Sequence, residues 1–302
     1  MSTSYHVAVI GLGAMGMGAA RSCLRAGLTT YGIDLSEQAR SQLQQAGAAA
    51  VMADARPLAE TLDAVLLLVV NATQVRRILL GEEGLARHLK PGTAIMVSST
   101  IAAEEASALA AELAQLGLPM LDAPVSGGAI KADAGEMTVM AAGSDTAFDK
   151  LAPVLDAVSG KLYRVGSEPG QGSTVKIIHQ LLAGVHIAVA AEAMALASRA
   201  GVSLDLMYDV VTHAAGNSWM FENRMPQVLT GDYQARSAVD IFVKDLTLVA
   251  DTAKALRFPL PLASTALNMF LGASNAGHGQ EDDSAVIKIF SGIQLPGQED
   301  QA

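Results

Sequence analysis

The sequence predicts an α/β domain over residues 1–168 and an all-α domain over residues 169–302, joined by a long interdomain helix. Three observations predict it. Apolar runs of strand length alternate with helix-length periodic segments as far as Gly166, and nothing beyond reads as a strand. Residues 175–199 carry one unbroken helical pattern, too long for a strand. Between the two halves, Glu168-Pro169-Gly170-Gln171-Gly172 has the composition of a hinge.

Taken in order, residues 7–10 form a short apolar run ending at a glycine cluster. Residues 14–26 then follow helical spacing as far as Gly27, a residue suited to the left-handed position after a helix. Residues 29–34 are the next strand and 37–46 the next helix, closed by Gly47. The run 64–70 (AVLLLVV) is apolar without alternation, as in a parallel strand covered on both faces. Further strands are predicted at 94–97, 118–122, 137–142 and 161–165, with helices at 74–80, 103–116 and 146–158. That order implies right-handed βαβ units in a doubly wound sheet. In the second half, helices are also predicted at 204–214, 241–256, 262–273 and 284–290, with Pro226, Pro259 and Pro261 marking breaks.

Composition narrows the partners. Thirty acidic against 20 basic side chains give a formal charge of −10, and no lysine or arginine run is present, so no nucleic-acid partner is expected. At 51% hydrophobic residues the chain is far from the composition of disordered segments. Its longest apolar stretch, 181–197, is interrupted by His186 and Glu192 and is rich in alanine, which reads as a buried helix, and no membrane partner is expected. One cysteine, Cys23, cannot form an internal disulfide and fits a reducing, cytoplasmic compartment.

Gly11-Leu12-Gly13-Ala14-Met15-Gly16 fits G-x-G-x-x-G directly after the first strand and at the opening of the first helix. In that context the glycines serve a tight turn, close approach of backbone to a pyrophosphate, and close helix–strand packing. The helix start offers unpaired N–H groups and a partial positive charge to phosphates. Asp34, 18 residues after Gly16, ends the second strand. A carboxylate there accepts from both ribose hydroxyls and repels a 2′-phosphate, so NAD is the expected cofactor in preference to NADP.

Three later segments complete a set with this loop: Asp122-Ala123-Pro124-Val125-Ser126-Gly127-Gly128, Gly170-Gln171-Gly172-Ser173-Thr174-Val175-Lys176, and Lys244-Asp245-Leu246. The set resembles the β-hydroxyacid dehydrogenases, the family of 3-hydroxyisobutyrate dehydrogenase and tartronate semialdehyde reductase, and the likeness runs nearly the whole chain. The resemblance implies a Rossmann-type first domain, a helical domain that forms a homodimer or homotetramer, and NAD-linked oxidation of a small anionic hydroxy acid. It assigns Lys176 as the catalytic lysine and Ser126, Gly127 and Gly128 as the loop holding the substrate carboxylate. It makes Thr100 a cofactor contact and Lys244 a second lysine reaching toward the nicotinamide end. Within the family, residues 213–225 and 274–277 look most like members that oxidise a four-carbon sugar acid. Many members carry asparagine three and four residues after the catalytic lysine; this chain has His179 and Gln180, which become candidate substrate contacts.

The chemistry of the residues agrees with these roles and leaves alternatives. Lys176 opens a long apolar helix, where the helix field opposes its charge, a setting that tunes lysine for proton transfer. The alternative is an ordinary lysine paired with a carboxylate. Ser126-Gly127-Gly128 can cradle a carboxylate with backbone N–H groups and a hydroxyl, or be a plain loop. Lys244-Asp245 is either part of the cofactor site or a surface charge pair. His179 and His186 share a helix face but lack a third ligand at suitable spacing, so no metal is expected. Glu281-Asp282-Asp283 lacks calcium-loop spacing and reads as an acidic, capped helix start. The segment 217–224 sets the single tryptophan among amides and an arginine, suited to a polyhydroxylated substrate or to a contact between copies. A dinucleotide-binding module without catalysis is the reading from a different class, and Lys176 argues against it.

Overall fold

A computed structural model describes residues 4–296, and the chain divides into two compact units, Met1–Lys176 and Ile177–Ala302. The first unit is built on a nine-stranded sheet. Its opening elements are β1 (His6–Ile10), α1 (Ala14–Arg25), β2 (Thr29–Ile33), α2 (Glu37–Gln45), β3 (Ala50–Met52), β4 (Ala64–Leu67), α3 (Ala72–Leu80), β5 (Ala94–Val97), α4 (Ala103–Gln115) and β6 (Met120–Asp122). All of these strands pair in parallel, in the order β3-β2-β1-β4-β5-β6. Strand order therefore reverses between β1 and β4, the place where open α/β sheets form a ligand crevice at the carboxyl ends of their strands. Side chains alternate between two apolar layers. Val7, Val9, Leu66 and Met96 join one core, while Ala8, Ile10, Val65, Leu67 and Ile95 join the other. Burial on both faces is why these strands read as unbroken apolar runs.

After β6 the sheet departs from the all-parallel expectation. β7 (Val125–Ser126) continues in the direction of β6, and the two are separated by Ala123-Pro124, because proline has no N–H to give to the ladder. A short helix, α5 (Gly128–Ala134), then turns the chain into β8 (Met137–Ala142), which runs antiparallel to both. α6 (Asp145–Val158) leads to β9 (Ser159–Gly166), parallel to β8. α7 (Gln171–Arg199) follows the hinge, begins in the first unit and continues into the second. By length and composition it could cross a membrane, yet half of its most apolar window is buried within the fold.

The second unit adds α8 (Leu204–Thr212), α9 (Trp219–Thr230), α10 (Val239–Ala255) and α11 (Pro261–Ala273). The expected last helix is instead a 3₁₀ segment, Asp283–Ile289. Ile187, Met194, Phe221, Met225, Phe242, Phe270 and Ile287 lie in its core. Pro226 does not mark a break. It sits inside α9, where its missing N–H leaves the Glu222 carbonyl without its helical donor, and the Tyr208 hydroxyl donates to that carbonyl at 3.2 Å.

α9 also carries the buried Arg224, whose Nε donates to Oδ1 of the fully buried Asp283 at 2.6 Å. Burial pushes the Asp283 carboxyl up to about 7 against the pull of Arg224. Arg224→Ala would leave that carboxyl buried without its partner. Chemical denaturation is expected to show a loss of about 3–5 kcal/mol.

Candidate active site

The glycine loop lies at the carboxyl end of β1, beside the reversal of strand order. Gly11 has φ +90°, and a Cβ there would fall 2.6 Å from the Leu68 carbonyl oxygen. A Cβ on Gly16 would fall 1.7 Å from the Gly11 carbonyl oxygen, so the helix start and the loop touch through bare backbone. Gly13 caps α1 and has nothing within 4 Å of its Cβ position; with exposed Ala14 it leaves the helix start open, while Met15 turns back onto the core. Asp34 is tied to this loop. Its Oδ2 accepts from the Leu12 N–H at 2.7 Å and its Oδ1 from the Ser36 N–H at 2.8 Å. At the carboxyl end of β5, Ser98 and Ser99 are buried with hydroxyls that have no hydrogen-bond partner, next to half-buried Thr100. An open helix start, glycines that side chains could not replace, and orphaned hydroxyls fit a dinucleotide. The two serines carry no sequence signal of their own beyond their place before Thr100.

Ser126 ends β7 opposite Thr138. Gly127 (φ +131°) and Gly128 (φ +70°) both occupy backbone conformations that side chains resist. Lys176 lies in the second turn of α7 and is only 6% exposed, which excludes a solvated surface lysine. Asp122 opens the Asp122–Gly128 motif, and nothing in the local sequence signals its role. It is fully buried: Oδ2 accepts from the N–H groups of Gly170 and Ser173, each at 2.8 Å, and Oδ1 from the Ser173 hydroxyl at 2.7 Å. Burial raises its carboxyl above the ordinary range, and those hydrogen bonds pull against the shift.

In the second unit, four side chains form a string. Gln180 Nε2 donates to Asp245 Oδ2 at 2.5 Å, Gln180 Oε1 lies 3.0 Å from His179 Nδ1, and Lys244 Nζ lies 2.7 Å from Asp245 Oδ1. Asp245 is buried, so Lys244-Asp245 is not a surface charge pair. Arg224 is buried, with its Nε on Asp283 and its Nη1 on Asn223. Trp219 instead lines a hollow of about 360 Å³ with Tyr208, Thr212, Glu222 and Asn223. Among the described residues no cluster of three or more His, Cys, Asp or Glu could hold a metal.

An open glycine loop at the strand-order reversal, a carboxylate ending β2 and a helical second unit define a dehydrogenase that uses a nicotinamide dinucleotide. Residues 6–166 match the NAD-binding domain of 6-phosphogluconate dehydrogenase, and residues 170–290 the NAD-binding region of NADP-dependent 3-hydroxyisobutyrate dehydrogenase. The chain belongs to the 3-hydroxyisobutyrate dehydrogenase-type β-hydroxyacid dehydrogenases, as its motifs imply. It is 72% identical to an L-threonate dehydrogenase of Escherichia coli O6:H1, over 98% of each chain. A Cupriavidus necator L-threonate dehydrogenase is 55% identical, over 97% of this chain and 99% of the relative. A crystal structure described as 3-hydroxyisobutyrate dehydrogenase from Salmonella typhimurium is 69% identical with a TM-score of 0.92, covering 95% of this chain and all of that one.

Proposed function

We propose that this chain oxidises L-threonate to 2-dehydro-L-erythronate with NAD. The observation that carries the proposal is near full-length identity of 55–72% to proteins named L-threonate dehydrogenase, on a chain that keeps a buried lysine at the start of α7. Gly11, Leu12, Gly13, Ala14, Met15 and Gly16 hold the pyrophosphate and Asp34 the ribose, with Thr100 and Lys244 toward the nicotinamide end. When bound, the oxidised nicotinamide supplies the hydride acceptor. Ser126, Gly127 and Gly128 bind the substrate carboxylate. Lys176 takes the proton of the carbinol hydroxyl as the hydride leaves its carbon, so one alcohol becomes one ketone.

His179 and Gln180 contact the remaining hydroxyls. Gln180 donates to Asp245 and lies 3.0 Å from His179 Nδ1, so two polar side chains follow Lys176 by about one helical turn. This polarity favours a polyhydroxylated acid over methyl-bearing 3-hydroxyisobutyrate, the substrate in the name of the Salmonella relative.

Formation of reduced nicotinamide across a panel of three- to six-carbon hydroxy acids tests the proposal. L-Threonate with NAD is expected to show the highest kcat/KM. Turnover with NADP alone would contradict the role of Asp34, and absence of a tetronate preference would contradict the substrate. Cofactor binding without any turnover would favour a non-catalytic module.

The working form in this reading is a homodimer or homotetramer. Leu182, Val189 and Leu196 recur every seven residues along α7, a spacing that keeps them on one face, and they stay 53%, 54% and 68% exposed. A second copy is expected to cover them, and light scattering of a Leu182→Glu, Val189→Glu variant is expected to show a monomer. The compartment in this reading is the cytoplasm. It suits Cys23, whose thiol is buried and pushed up to about 12 by that burial.

A further inference from the structure

Asp122 has no part in the chemistry above, yet its carboxylate is 0% exposed and engages three donors. It stands at the end of β6, four residues before Ser126. Pairing with β8 holds both, with Asp122 opposite Ala142 and Ser126 opposite Thr138. The donors come from the hinge and the first turn of α7, and Lys176 follows Ser173 by three residues, about one turn.

The packing leaves little slack. A Cβ on Gly172 would fall 2.4 Å from the Asp122 carbonyl oxygen and 2.6 Å from that of Met140. Gly170, at φ +102°, would place a Cβ 2.5 Å from Ser107 Oγ. The N–H groups of a first helical turn lack partners within the helix, and a buried carboxylate that accepts them gives strong, directional bonds.

We propose that Asp122 is a positioning residue: it locks the first turn of α7 to the sheet and so fixes Lys176 in register with the Ser126–Gly128 segment. The inference rests on the reading of Lys176 as the group that handles the hydroxyl proton. Asparagine separates geometry from charge at this site. Its Oδ1 can take both N–H groups, and its Nδ2 can donate to the Ser173 hydroxyl, which has lone pairs to accept.

The test measures kcat and KM for L-threonate and NADH affinity by fluorescence in full-length Asp122→Ala, Asp122→Asn, Lys176→Ala and the Asp122→Ala, Lys176→Ala double variant. Asp122→Ala is expected to lower kcat by about 30-fold or more, a loss within the span of a single general base, with KM and NADH affinity changed less than about threefold. Asp122→Asn is expected to recover to within about fivefold of wild type, since it keeps neutral versions of the two backbone bonds and replaces the third by one of reversed direction. In the Lys176→Ala background, Asp122→Ala is expected to change kcat less than about threefold, because residues acting through one group are not additive.

Equal losses with and without Lys176, or an Asp122→Ala kcat within threefold of wild type, would overturn the positioning role and leave Lys176 standing. An Asp122→Asn variant as slow as Asp122→Ala would overturn it too. A Lys176→Ala enzyme retaining more than a tenth of the wild-type rate would overturn the reading of Lys176, and the proposal with it. If Asp122→Ala does not fold, Ser173→Ala carries the test. Combined with Asp122→Asn it leaves only neutral bonds from the backbone, and a kcat reduced about tenfold in that double variant supports the proposal while a wild-type kcat overturns it.

Discussion

Lys176→Ala is expected to lower kcat about 1,000-fold, the loss typical of removing a well-placed general base, with NADH affinity nearly unchanged. That factor is about 4 kcal/mol of barrier. The expected size follows from how little else is placed to take over. His179, one turn along α7, has Nδ1 directed to Gln180 Oε1, and Gln180 is itself fixed by Asp245. Lys244 lies against Asp245. The lysine is also only 6% exposed, and truncating it leaves a space in which no other protein group among the described residues supplies an amine. Small primary amines added to the variant are expected to restore part of the rate, which separates a lost base from a misfolded site. Retention of more than a tenth of the wild-type rate would contradict the role.

Gly16→Ala is expected to abolish tight cofactor binding. The added methyl would fall 1.7 Å from the Gly11 carbonyl oxygen, with Leu68 Cβ 3.5 Å away. Neither is the free end of a flexible side chain, so the opening of α1 must move off the loop. The N–H groups proposed to hold the pyrophosphate then lose their geometry. Loss of one to two charge-assisted hydrogen bonds is about 3 kcal/mol, or roughly a 100-fold rise in the Kd for NADH. Titration by protein fluorescence measures it. Gly13→Ala is the informative control, because its Cβ position is empty of protein and any loss must come from the space the cofactor occupies.

The parts of the fold that could be read from sequence are those where local pattern and tertiary burial coincide. Strands β5 and β8 fall at the predicted residues, because their apolar runs are covered on both faces. The glycine loop and Asp34 stood out through their fixed spacing after two strands, and the structure joins them through the Leu12 N–H. Short elements did not. β3 has three residues at the sheet edge, and α5 begins at the second of two paired glycines that read as a loop. α9 was hidden by Pro226, because the compensating hydroxyl of Tyr208 comes from another helix.

The site divides the same way. Lys176 could be singled out by its place after the hinge, but the carboxylate that anchors its helix could not. Asp122 and Ser173 are 51 residues apart, and Gln180 and Asp245 are 65 apart. Partnerships of that separation are created by the topology and leave no local periodicity. Arg224 shows the converse: its segment read as suited to a substrate or to a contact between copies, and the fold buries its Nε on Asp283, 59 residues away.

Deuterium placed at C2 of L-threonate reports which carbon gives up the hydride. If the enzyme binds the carboxylate and removes hydride from the adjacent carbinol, the label appears in the reduced nicotinamide and the product carries none. Unlabelled reduced nicotinamide, with deuterium retained in the product, would place the oxidation at another carbon and contradict the assignment.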